Sequence, residues 1–94
     1  MTAEARKIVY VEDDRDNFRL VKRLLEATER YEVLWAKSGL SGLASIREHR
    51  PALVLIDLDL PDIDGFELSR RLRADPELGK TPLIAISANV MHDE

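Results

Sequence analysis

The sequence contains no cysteine, which excludes disulfide bridges and thiolate chemistry and is consistent with a reducing cytoplasm. It also lacks a long apolar run. The longest, residues 53–56, falls far short of the roughly 20 residues a spanning helix needs. The first residues, 1–7, are short and polar, with no apolar signal core behind them. There is no excess of base: 14 Lys and Arg stand against 18 Asp and Glu, for a net charge of −4. That balance argues against direct binding of nucleic acid, which wants a basic face. Repeats, low-complexity stretches and long linkers are absent, so a second domain is not expected. What remains is a small soluble domain of 94 residues, with 45% apolar residues to build a core and 34% charged residues to cover it. A chain this short buries a limited share of its surface and should be marginally stable.

Strands and helices alternate in the pattern. Ile8, Val9, Tyr10 and Val11 form a buried strand that stops at Glu12, Asp13 and Asp14. Asp14 or Asp16 is placed to cap a helix carrying Phe18, Val21 and Leu25 on one stripe, with Leu20 and Leu24 beside it. Tyr31–Ala36 reads as a second strand. Ser38 caps a helix with apolar positions at Leu40, Leu43, Ala44 and Ile46, weakened modestly by Gly42 and ended by Pro51. Leu53, Val54, Leu55 and Ile56 show no alternation, as in a strand buried on both faces, and stop at Asp57. Pro61 and Gly65 punctuate a loop. Phe66, Leu68 and Leu72 mark a third helix that closes near Asp75 and Pro76, and Leu83–Ile86 is a fourth strand. The order βαβαβαβ implies a parallel sheet with right-handed crossovers and helices on both faces.

In such α/β sheets the functional crevice lies outside the carboxyl ends of the strands. Here those ends carry Glu12 and Asp13, then Asp57, then Ser87. In the flavodoxin-like order the first and third strands are neighbours, so three carboxylates converge. They repel one another, and a hard divalent cation relieves the repulsion. Oxygen-only ligands suit magnesium, and no His/Cys cluster suggests zinc. Taken singly, each residue has a plainer reading: Asp13 and Asp14 as helix caps, Asp57 as a turn residue. Their joint placement at two adjacent strand ends favours the metal. Asp62 and Asp64 read as turn residues, Trp35 and Tyr31 as strand packing, His49 and His92 as surface, and Arg70, Arg71 and Arg73 as a solvated helix face.

Three motifs make the pattern specific: Val11-Glu12-Asp13-Asp14, then Leu55-Ile56-Asp57 followed by Asp59, Pro61 and Gly65, then Ala85-Ile86-Ser87-Ala88. Together they resemble response-regulator receiver domains of two-component systems, from about Lys7 to the last residue. The resemblance implies a flavodoxin-like doubly wound sheet. It implies Asp57 as the phosphoacceptor, with the phosphoryl group coming from a phosphohistidine on a sensor histidine kinase or phosphotransfer protein. It implies magnesium held by Asp13, Asp57, Glu12 and the backbone carbonyl of Asp59. Ser87 is implied as a hydrogen-bond donor to the phosphoryl group. Such a domain is a cytoplasmic signalling module with self-catalysed phosphotransfer and not a turnover enzyme.

Family members carry a fifth strand ending in lysine, and a fifth helix. No lysine follows Ser87 here. The expectation is one receiver domain over residues 1–94, C-terminally incomplete, with strand order 2-1-3-4. Strand four would then have an open edge inviting a homodimer. Two competing readings remain. One is a receiver-like interaction module that is never phosphorylated. The other starts from Asp57 and Asp59, which also resemble the nucleophile motif of haloacid-dehalogenase-type phosphatases. That family places the motif on its first strand, and here it follows the third.

Overall fold

A computed structural model of the chain describes residues 5–58 and 60–86. The elements run β1 (Arg6–Val11), α1 (Arg15–Glu26), β2 (Tyr31–Ala36), α2 (Gly39–His49), β3 (Leu53–Asp57), α3 (Gly65–Ala74) and β4 (Leu83–Ile86). The four strands form one parallel sheet in the order β2-β1-β3-β4. The expected alternation of strands and helices, the expected order and the buried character of β3 are all present.

Side chains alternate along β1 and split the core in two. Val9 and Val11 face α2 and α3, in a cluster with Leu43, Ile46, Val54, Ile56, Leu68, Leu72 and Leu78. Ile8 and Tyr10 face α1, where Phe18, Val33 and Leu55 join them. Leu78, from the segment between α3 and β4, is a core residue that the helical and strand periodicities do not reveal.

Local chemistry sets the helix starts. Asp14 is the cap of α1 and accepts from the Asn17 N–H. Ser38 and Ser41 form a reciprocal capping box at α2. Asp64 caps α3 by accepting from the Glu67 N–H. At its far end α2 stops because Arg50 turns left-handed (φ 47°), one residue before Pro51.

Two expected helix faces need correction. Leu40 is 54% exposed, and Ala44 is exposed as well; the buried stripe of α2 is instead Gly39, Gly42, Leu43 and Ile46. The helix is rotated toward its glycines because they let it sit against β1. A Cβ on Gly42 would come within 2.7 Å of the Val11 side chain. Phe66 is also turned outward, at 72% exposure, since it lies about 200° around the helix from buried Leu68.

The two sheet edges differ. On β2, the Val33 N–H donates to the Glu26 carboxylate of α1, which also pairs with Lys22. Among the described residues β4 pairs only with β3, and Ile84 is half exposed.

Candidate functional site

The β1–β2 and β1–β3 ladders both end at Val11, opposite Ala36 and Ile56. The next residue of β1's run and the last of β3 therefore stand side by side at the carboxyl edge. Glu12 and Asp57 are both buried there, and Asp13 is exposed above them. One carboxylate oxygen from each lies within 4.8 Å of the other two.

Glu12 is held at four points. Its N–H donates to the Ala36 carbonyl at 2.9 Å. Its carbonyl accepts from the Trp35 indole Nε1–H at 2.6 Å. Its carboxylate accepts from the Tyr10 hydroxyl at 2.8 Å and from the Asp14 N–H at 3.2 Å. Burial pushes the Glu12 carboxyl up, the Tyr10 and Asp14 donors pull it down, and neighbouring Asp57 pushes it up again, to about 7. Burial also pushes the Tyr10 hydroxyl above its ordinary range, helped by Glu12, Asp57 and Asp14. A group that resists ionising beside two further acids marks a site short of positive charge. The donor set, all oxygen with one exposed and two buried carboxylates, fits a hard divalent cation.

The β3–α3 loop is tied down on both sides. The Asp62 carboxylate accepts from the Gly39 N–H at 2.8 Å and from the Leu40 N–H at 2.9 Å, so it caps α2 from 22 and 23 residues away. Burial pushes its carboxyl up, but donors from Leu40, Gly39, Ile63 and its own N–H outweigh that and hold it near 2. Asp62 is thus more than the turn residue its sequence neighbourhood implies. Gly65 is buried, and a Cβ there would meet Ile56 at 3.0 Å and the Asp57 carbonyl at 3.2 Å. Its role is close approach of backbone behind Asp57, as its place after the loop suggests.

A family profile for the response regulator receiver domain matches residues 8–94. The chain belongs to that family. Its place is in two-component signalling. The polar-differentiation response regulator DivK of Brucella anthropi is 40% identical over 86 residues, which is 92% of this receiver and 69% of DivK. Among solved structures, the receiver domain of the Pseudomonas aeruginosa sensor histidine kinase PA1611 has a TM-score of 0.85 at 28% identity, covering 95% of this chain and 72% of that one. That structure holds magnesium in its active-site cleft. The phosphorylated cyanobacterial phytochrome response regulator RcpA has a TM-score of 0.81 at 33% identity, covering 89% and 66%.

The receiver fold brings Glu12, Asp13 and Asp57 together as the sequence implies. Asp59 and Ser87 lie outside the described residues. The residues that sequence reasoning undervalued are Tyr10 and Trp35. Tyr10 reads only as a member of the buried first strand and Trp35 as strand packing, yet each donates to Glu12. The only available signal was polarity: a Tyr and a Trp in buried strands need partners for their O–H and N–H. Arg70, Arg71 and Arg73 lie on a solvated face as the sequence implies: Arg70 and Arg71 both pair with Glu67, and Arg73, also exposed, donates to the Gly79 and Thr81 carbonyls and fastens the segment before β4. No helix among the described residues is long and apolar enough to cross a membrane.

Proposed function

We propose that this receiver accepts a phosphoryl group on Asp57 in a magnesium-dependent reaction with a histidine kinase or phosphotransfer protein. The observation that carries the reading is the convergence of Glu12, Asp13 and Asp57 within 4.8 Å at the ends of β1 and β3. An Asp57 oxygen attacks phosphorus on the partner's phosphohistidine. A P–O bond forms, the P–N bond breaks, and the imidazole leaves with the bonding pair. Asp13 and Glu12 would hold the cation with Asp57, and the family resemblance implies the Asp59 carbonyl as a further ligand. Bound there, the cation supplies charge neutralisation for the incoming phosphoryl oxygens. Ser87 donates to one of those oxygens. Little other chemistry is needed, because phosphoryl transfer depends mainly on positioning and charge. The transfer leaves the phosphoryl group on Asp57 itself, so in this reading the domain is a signalling module and not a turnover enzyme. A cytoplasmic location fits a cysteine-free chain whose phosphodonor is a kinase.

Intact-mass analysis after acetyl phosphate and magnesium tests this. Wild type should gain one phosphoryl mass and Asp57→Asn none; equal labelling of both would overturn the assignment.

A homodimer through the β4 edge is a second part of the proposal. It is supported by the half-exposed Ile84 and by the contrast with β2, whose Val33 N–H is taken by Glu26. Light scattering at tens of micromolar should give twice the chain mass, and a clean monomer removes this part.

A further inference from the structure

Three aromatic rings run in a row under the acidic cluster. Tyr10 and Phe18 have centroids 5.9 Å apart, and Phe18 and Trp35 stack at 4.8 Å with ring planes 12° apart. Each end of the row donates to Glu12, Tyr10 to its carboxylate and Trp35 to its main-chain carbonyl. The Lys37 ammonium lies over the Trp35 ring, 5.0 Å from its centroid.

The place of the Trp35 bond in the chain gives it its meaning. The β1–β2 ladder closes with the Glu12 N–H on the Ala36 carbonyl. Beyond that point the chain leaves the sheet to start α1, and among the described residues the Glu12 carbonyl has no strand partner on that side. The indole N–H takes it, at the peptide that joins Glu12 to Asp13. Simple packing of an aromatic ring would not need the nitrogen aimed at this one oxygen.

We propose that Trp35 is a positioning residue for the metal site: by holding the Glu12–Asp13 peptide to β2, its indole N–H sets the separation of the three carboxylates. The proposal rests on the magnesium reading above. Outer groups that orient metal ligands typically change metal affinity by about 10–100-fold when removed. Phe at position 35 keeps a ring over Phe18 and removes the donor.

The test is calorimetric titration of magnesium into wild type and Trp35→Phe, with metal-free melting to check that the variant is folded. Affinity should fall about ten-fold in the variant. A second measurement uses wild type alone. The chain has 1 Trp, so a ¹⁵N-labelled sample gives one indole N–H resonance. That resonance should move during the titration with the calorimetric midpoint. Wild-type affinity in Trp35→Phe, or an indole resonance that stays still while magnesium binds, overturns the role of Trp35 and leaves the metal site standing. A wild type that takes up no magnesium overturns both.

Discussion

On the face of the sheet under α2 and α3, the buried residues are aliphatic: Val9, Val11, Ala36, Leu43, Ile46, Val54, Ile56, Leu68, Leu72 and Leu78. On the face under α1 the cluster is smaller and carries aromatic rings, with Tyr10 and Phe18 buried and Trp35 packed against them. The buried side chains of the aliphatic cluster have no polar atom to aim and can only contribute burial. The aromatic side contributes burial and two donors, and both donors go to Glu12. The same alternation along β1 that divides the core therefore divides the work. One face holds the sheet together, and the other fixes the acidic edge.

The strongest way to break that division is to damage the aliphatic face and watch the metal. Leu68 is fully buried between α3 and the sheet. Leu68→Ala should cost about 3 kcal/mol, the usual loss for a buried leucine with its cavity. Small domains have roughly 5–15 kcal/mol in total, so urea unfolding should show a large drop in midpoint. The increment added by saturating magnesium should match wild type. An increment that shrinks with the variant would show that the two faces are not independent.

A smaller effect belongs to the acidic edge. Magnesium at ten times its dissociation constant should stabilise wild type by about 1.4 kcal/mol. For a domain of this size that is roughly 6–11 °C in melting temperature. Asp13→Ala should lose the increment, because it removes the exposed ligand of the cluster. Its metal-free melting should equal or exceed that of wild type, since one charge beside Glu12 and Asp57 is gone. A variant that still responds fully to magnesium would place the cation elsewhere.

The sequence carried the strands, their order and the three acids, because β-branched runs ending in carboxylates are a strong local pattern. It misjudged α2 and α3 at Leu40, Ala44 and Phe66, all exposed. Hydropathy counts side chains, and the face of α2 that touches Val11 is partly glycine, which contributes contact by having none. Leu78 was missed because it belongs to no periodic segment. The four-point hold on Glu12 was illegible for another reason. Trp35 is 23 residues from the carbonyl it grips, and only the β1–β2 register brings them together.

Asp62 is a carboxylate on the α2–α3 face, and its work is structural. It accepts from the first N–H groups of α2, where a negative charge also meets the positive end of the helix. Its folded pKa is about 2, below the ordinary 3.8. A depressed carboxylate adds stability that is fully present above the unfolded pKa and is lost as pH falls through the folded one. Its contribution should therefore hold at neutral pH and fade between about 4 and about 2. Asp62→Ala should cost about 1 kcal/mol at neutral pH, a typical cap, with solvent screening keeping the charge from adding much more. Paired urea unfolding of wild type and Asp62→Ala at neutral pH and near pH 2 should show a gap that narrows in acid. A constant gap would mean that the loss comes from loop packing and not from the charged cap. The magnesium increment should be the same in both proteins at neutral pH, because α2's cap contributes no ligand to the cluster at the ends of β1 and β3.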